Sequence, residues 1–316
     1  MNPEGRVPTS PWTDAVDAAT LFAIDPIGLS GVALRAAPGS VRDRWLTLIR
    51  DSVAAPLRRL PLNVTDDRLI GGLDLAATLH AGRPVAERGI LAEADGGILL
   101  VAMAERLSAA TAARLGAVLD QGEVAIERDG FALRAPARFG VIALDEGIAD
   151  GERPPGALLD RLAFHVDLSQ VSAQNLVEWS GEKEMIAVAR AKLADVVVSA
   201  AVLEALCGVA FALGIHSLRA GRFALCAARA AAALDGRDEV SDVDAALAAR
   251  LVLASRATQL PTEPQPEQQD AEPNEDKANS ADAEPEHKPN EADAQQTDDF
   301  PDEPLQIGRA SCRERV

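Results

Sequence analysis

Residues 28–50 read GLSGVALRAAPGSVRDRWLTLIR, and the rest of the chain is organised around them. The apolar run Val32–Leu34 is followed by Pro38, Gly39 and Ser40 and then by an amphipathic segment from Arg42 to Ile49, which predicts strand, turn and helix. A phosphate-binding loop occupies this place when it carries GxxxxGK[ST]. Its glycines let backbone N–H groups close on the phosphates, its Lys reaches the outer phosphates, and its hydroxyl holds Mg²⁺. Here the matching positions are Ala36, Val41, Arg42 and Asp43, and Gly39 lies between them. Val41 puts a branched side chain where the backbone must approach, and Asp43 puts a carboxylate beside the helix N-terminus that should receive phosphate. Ala36, Gly39, Arg42 and Asp43 therefore describe either a dismantled phosphate site or a βα turn that never held one.

At 316 residues and 47% hydrophobic composition, two domains and a sizeable core are expected. Aromatic residues are only 3%, with no Tyr, so that core is aliphatic and rich in Ala, which favours closely packed helices. The formal charge of −18 is concentrated between Pro261 and Pro304, where fifteen Asp and Glu face two Lys; that net of −13 leaves −5 elsewhere. The acidic balance and the lack of a basic stripe argue against a nucleic-acid partner. Cys207, Cys226 and Cys312 fit neither a disulfide framework nor a zinc site, and buried reduced thiols are expected. No signal peptide and no membrane-spanning apolar run is present, so a cytoplasmic chain is expected.

In chain order, residues 12–24 predict a short helix, 42–55 the helix behind the loop, and 61–66 an extended segment. Residues 67–91 read as an insertion with a helical stretch at 73–79. GILLVAM (97–103) is a continuous apolar strand of the kind buried in a parallel sheet, followed by a helix capped by Ser108. EVAIERDGFALR (123–134) alternates on both sides of Asp129-Gly130 and predicts a β-hairpin. RFGVIAL (138–144) is another buried strand, LLDRL (158–162) starts a helix, and FHVDL (164–168) is a last short strand. Alternating strands and helices imply a parallel α/β sheet. After Ser169, four helical patterns at 182–197, 200–213, 217–234 and 241–255 imply a second, all-α domain. The Pro, Glu, Asp, Gln and Asn tract that follows lacks the apolar side chains to fold and reads as an extended linker. The final GRASCRERV shares nothing with it and reads as an appended tail.

Several of these stretches together resemble one family. They are the degenerate loop, TDDRLIGGLDLAATLHAGRPVAERGILAEADGGILLVA (65–102), EVAIERDGFALRAPARFGVIAL (123–144), LLDRL (158–162) and SLRAGRFALCAARAAAAL (217–234). In this order they are similar to the AAA+ module of magnesium chelatase, in the D-subunit branch that relates to the I subunit but has lost its nucleotide motifs. The resemblance covers roughly residues 15–258. It implies an AAA+ P-loop-type parallel sheet core with β-hairpin insertions over 1–169 and a small all-α lid over 170–258. A disordered acidic, Pro-rich linker over 259–304 and the appended tail over 305–316 complete the expected division. In this branch such a linker leads to an integrin-like metal-binding domain, and the sequence reads as the N-terminal part of such a chain.

The resemblance also places site residues. The loop Lys falls on Arg42 and the loop hydroxyl on Asp43. The acidic pair at the end of the second core strand falls on Ala102 and Met103, with Glu105 nearby, and for the polar sensor after RFGVIAL the candidates are Asp145, Glu146 and Ile148. Arg161 in LLDR matches an arginine finger that acts in trans, and Arg219 in SLRAGRF matches the second sensor of the lid. The implied function is that of a non-hydrolysing subunit of the ATP-dependent ligase that inserts Mg²⁺ into protoporphyrin IX on the way to chlorophyll and bacteriochlorophyll. Its implied partners are the I-subunit ATPase ring and the porphyrin-binding H subunit. ATP and Mg²⁺ would be used by the assembled hetero-oligomer, with no cofactor held tightly by this chain. The alternative is a self-sufficient AAA+ ATPase or chaperone with a variant loop, in which Arg42 would mimic the Lys charge without its geometry. His80, His165, His216 and His287 are scattered without metal-ligand spacing, and His165, within a core strand pattern, reads as a satisfied buried or edge histidine.

Overall fold

A computed structural model of the chain describes residues 10–53, 55–128, 131–149, 151–176 and 183–259. The predicted acidic linker beyond 259, the appended tail, Cys312 and the Asp129-Gly130 turn lie outside those residues. The described residues all lie within one compact unit.

Five parallel strands form the central sheet in the order β2-β5-β8-β1-β9: β1 is Gly31–Arg35, β2 Leu57–Leu60, β5 Ile98–Val101, β8 Gly140–Asp145 and β9 Phe164–Asp167. Both faces are apolar, as a sheet covered on two sides requires. Val32, Leu34, Ile98, Leu100, Ile142 and Leu144 point into one core cluster, while their neighbours Ala33, Leu99, Val101, Val141 and Ala143 point into the other. The first cluster is covered by α1 (Pro11–Ile24) and α2 (Ser40–Ser52), the second by α5 (Ile90–Glu93) and α6 (Ala109–Gln121). Helix α1 starts where Ser10 and Thr13 form a capping box with Pro11 in the first turn. Its Ala15 carbonyl accepts from the Trp45 indole at 2.8 Å, which joins it to α2.

Two hairpins stand outside the sheet. The β6–β7 hairpin (Glu123–Arg128 with Phe131–Pro136) is the one the alternation predicts. The other, β3 (Gly71–Leu73) with β4 (Ala86–Arg88), is set between α3 (Asp66–Ile70) and α5 and holds α4 (Leu75–Ala81) at its tip. It lacks any apolar alternation, and the three β4 residues are all exposed, so no period-2 signal marks it. The extended segment expected at 61–66 is displaced: the strand is LRRL at 57–60, an edge strand with three of its four residues exposed, whose arginines conceal it. LLDRL does not start a helix either. Helix α7 covers Gly156–Leu159, so Arg161 stands in the turn after it.

Four helices follow, at the expected places but shorter at the ends: α8 Lys183–Lys192, α9 Ala200–Ala212, α10 Leu218–Leu234 and α11 Asp242–Ala248. Helix α11 runs into a π-helical turn, Ala249–Leu253, and a 3₁₀ turn, Ala254–Arg256. Alanines 224, 227, 228, 230, 231, 232 and 233 of α10 are buried in the same cluster as Ala15, Ala18 and Ala19 of α1, so small side chains let these helices pack closely. Cys226 is partly buried as expected, but Cys207 is exposed on α9. Among the described residues no helix is long and apolar enough to cross a membrane.

Candidate functional site

The loop after β1 is held by ion pairs within the chain. Arg35, the last residue of β1, pairs with Asp145 at the end of β8 at 3.0 Å, and its other amino group donates to the Gly147 carbonyl at 2.9 Å. Arg42, in the first turn of α2, donates to Glu146 at 2.7 Å, the two side chains being 16% and 21% exposed. Glu105, whose side chain is 4% exposed, accepts from the Glu146 N–H at 3.0 Å. Of the three positions considered for the polar sensor, Glu146 therefore faces the loop, Asp145 is taken by Arg35, and Ile148 is 95% exposed. Met103 sits at φ 49°, a strained turn for a non-glycine residue, and offers a thioether where a carboxylate would be needed.

This loop does not fit a nucleotide with its Mg²⁺. Its one cation is neutralised by Glu146, its Nε is closed off from solvent, and Asp43 lies 3.7 Å away with a charge that would repel phosphate. Ala36 donates its N–H to the Asp145 carbonyl, and Gly39 starts α2 without a side-chain cap.

The other expected residues, Arg161 and Arg219, meet at the opposite end of the sheet. Arg161 Nε and Nη2 both donate to one oxygen of Asp120, at 3.0 and 2.6 Å. Arg219 Nη2 reaches the same carboxylate at 3.2 and 3.1 Å, and its Nη1 donates to Asp160 at 2.9 Å. Asp160 also accepts from Ser217 Oγ at 2.6 Å. Arg222 completes a cleft of about 320 Å³ that Ser30 and Phe223 also line. Burial pushes the Asp120 carboxyl up, but the hydrogen bonds and charges of Arg161 and Arg219 outweigh it and hold the group below its ordinary value. Ser30 precedes β1 and the loop follows it, so a five-residue strand, about 16 Å long, separates the cleft from Arg42. Arg219 thus stands beside Arg161 and not beside its own chain's loop.

Two residues that shape this cleft went unread in the sequence. Asp120 sits in the last turn of α6, where the helix dipole disfavours a carboxylate. Gly116 stands mid-helix, where glycine costs about 1 kcal/mol relative to Ala. Arg161 lies across it, and a Cβ there would come within 3.0 Å of Arg161 Nε. Both were signals that pairwise motif reading passes over. Asp160, next to Arg161 in the chain, pairs not with it but with Arg219. His165 is a partly buried histidine on the edge strand β9, within 2.9 Å of the Leu159 carbonyl oxygen: burial, followed by the charge of Arg256, pushes its pKa down to about 4, although the Leu159 carbonyl and Asp160 oppose the shift. Among the described residues no cluster of His, Cys, Asp and Glu could hold a metal ion.

Comparison with known proteins gives the setting. A family described as the AAA lid domain matches residues 203–276. The magnesium-chelatase 60 kDa subunit of Cereibacter sphaeroides is 44% identical over 83% of this chain and 44% of its own length. The 67 kDa subunit of Chlorobaculum tepidum is 35% identical over 80% of the chain and 44% of its own length. The chain thus spans less than half the length of these relatives. The magnesium-chelatase 38 kDa subunit of Cereibacter sphaeroides is 31% identical over 65% of the chain and 68% of its own length. Among solved structures, a putative ATPase from Cytophaga hutchinsonii superposes with a TM-score of 0.55 at 17% identity, over 76% of this chain and 84% of that one, a likeness of fold.

Proposed function

The chain belongs to the magnesium-chelatase family, in the branch of its 60 and 67 kDa, or D, subunits, and on that premise we propose that it is a subunit that does not hydrolyse ATP itself but completes the active site of a neighbour. The observation that carries this reading is the convergence of Arg161 and Arg219 on Asp120, one strand length away from a loop whose Arg42 is already paired. Two guanidinium groups on one small anion are arranged as they would be for phosphoryl oxygens, which they bind in forked geometry. Among the described residues Arg161 and Arg219 pair with Asp120 and Asp160 while Arg222 donates to the Gly28 carbonyl, so three guanidinium groups meet two carboxylates and a positive excess remains for an incoming phosphate.

In this reading the neighbour is an ATP-hydrolysing subunit of the 38 kDa, or I, type. Arg161 reaches the γ-phosphate of its nucleotide as an arginine finger, and Arg219 holds the adjacent oxygens. The finger stabilises charge that develops during transfer, an effect worth about 10³ to 10⁵ in rate. The assembled hetero-oligomer uses ATP and Mg²⁺ to place Mg²⁺ in protoporphyrin IX presented by a porphyrin-binding H subunit, in the cytoplasm of a cell that makes chlorophyll or bacteriochlorophyll. A self-sufficient ATPase would need Arg42 free for its own nucleotide, and the Arg42–Glu146 pair weighs against that.

The test is ATP turnover by the full chain alone and mixed with an I-type subunit. No turnover is expected alone. In the mixture, Arg161→Ala is expected to assemble normally, by size-exclusion chromatography, and to lower turnover by about 10³-fold. An assembled Arg161→Ala complex with full turnover, or hydrolysis by the chain alone, refutes the reading.

A further inference from the structure

Arg161 stands in a turn of its own, between the four-residue α7 and β9, and a finger is useful only if that turn is held at a fixed height. The residues that hold it come from the far end of the helical region. Arg256 Nη1 donates to the Ala163 carbonyl at 2.9 Å and Nη2 donates to the Leu162 carbonyl, so the two carbonyls directly after Arg161 are clamped by one planar guanidinium. Nη1 also donates to the Val252 carbonyl at 2.6 Å, four residues back, which ties the side chain to the π-helical turn it follows. On the other side of the turn, His165 Nε2 lies 2.9 Å from the Leu159 carbonyl oxygen and 3.2 Å from Arg256 Nη2.

The chemistry of this cation is unusual. Arg256 is half-buried and forms no ion pair with a carboxylate among the described residues; its partners are carbonyl oxygens and an imidazole. Burial pushes its pKa down to about 10, opposed by the charge of Asp160 across the turn. A charge taken out of water without a counter-ion is costly, and simple packing of helix against sheet would be served as well by an apolar side chain. What an apolar side chain or a Lys cannot supply is a rigid fork of donors that fixes two successive carbonyls at once. Asp160, Arg161, Leu162 and Ala163 are thereby all gripped, the first two through Arg219, Ser217 and Asp120 and the last two through Arg256.

The geometry points to Arg256 as a positioning residue for Arg161, setting the height of the finger turn from the C-terminal end of the helical region. It does not touch the neighbour's phosphate. It couples the position of the 249–256 turns, and so any displacement of the helical region, to whether the finger is aligned. This inference rests on the reading of Arg161 as a residue that acts on a neighbour's phosphates.

The experiment uses the full chain in complex with the I-type subunit and four variants: Arg256→Gln, Arg256→Lys, Arg161→Ala, and Arg256→Gln with Arg161→Ala. Arg256→Gln is expected to lower kcat for ATP at least ten-fold with KM changed less than two-fold, and to cause no further loss in the Arg161→Ala background. Hydrogen exchange in the same samples is expected to quicken at the Arg161 and Leu162 amides while those of β1 and β8 keep their rates. Arg256→Lys, which keeps the charge and loses the fork, is expected to stay folded and fall between wild type and Arg256→Gln, so the result stands even where the Gln variant does not fold. Full turnover in Arg256→Gln or Arg256→Lys, or losses that multiply with Arg161→Ala, overturns the positioning role alone. Full turnover in Arg161→Ala overturns the finger reading and the positioning role with it.

Discussion

Replacing Arg42 by Ala asks whether the loop after β1 is held by an internal ligand in place of a nucleotide. The guanidinium and the Glu146 carboxylate are 2.7 Å apart, with 16% and 21% of the two side chains exposed. Two unit charges about 4 Å apart at an effective dielectric of about 20 attract by about 4 kcal/mol, much of which is offset by the desolvation of both. Deleting one partner of a fully buried pair costs about 3–5 kcal/mol, because the other charge is stranded; partial exposure of both groups lowers this to about 2–3 kcal/mol here. Arg42→Ala should therefore lower the urea midpoint by an amount equivalent to about 2–3 kcal/mol at constant m, and the melting temperature by roughly 5–10 °C. Removing Glu146 as well, as Arg42→Ala with Glu146→Ala, should recover about 1–2 kcal/mol of the summed single losses, because no charge is then left without its partner. Single and double variants that add to within about 0.5 kcal/mol would refute the pairing as the loop's support. So would a rise in the melting temperature on adding ATP with Mg²⁺ that Arg42→Ala abolishes and Arg161→Ala leaves intact, since that places Arg42 on phosphate in place of Glu146.

Two other outcomes test the cleft and its surroundings. Gly116→Ala should gain up to about 1 kcal/mol of helix propensity, yet its Cβ would press on Arg161 Nε at 3.0 Å and displace it from Asp120. Stimulated ATP turnover should fall about ten-fold at undiminished stability, and an equally active variant would show that Arg161 needs no such seating. His165 has a folded pKa of about 4 against an ordinary 6.5. The unfolded chain therefore takes up a proton first, and the contribution to stability is fully present above pH 6.5, is lost as pH falls from 6.5 to about 4, and levels off below that. The span is at most about 3 kcal/mol, and urea midpoints of His165→Gln should lose that slope between pH 4 and 6.5; an unchanged slope would assign it to other groups.

The alternation of apolar runs and helical patterns was enough to place the core strands and α1, α2, α6 and the four later helices, because a sheet covered on both faces needs continuous apolar strands and each helix carries its own caps. It missed β2 and the β3–β4 hairpin, because the side chains of β2 and β4 mostly face solvent and β3 begins with two glycines, which leaves no hydrophobic period to read. The departure of the loop from a phosphate-binding pattern was legible too, since Arg42 and Asp43 stand at positions whose chemistry a bound phosphate would fix. What stands in their place was not, for Glu105 and Glu146 follow the ends of strands far along the chain and no spacing rule relates them to Arg42.

The sequence by itself thus determined the parallel α/β core, the helical region and the pair of arginines worth watching, because local patterns of burial and a short motif suffice for each. Only the tertiary structure decided that Arg161 and Arg219 belong to one cleft, that Asp120 joins them, and that Arg256 grips the turn between them and the sheet. Those contacts join residues 41 to 99 positions apart, and their energy exists only once the sheet and the helices around it have set the separations at which charge and hydrogen bond act.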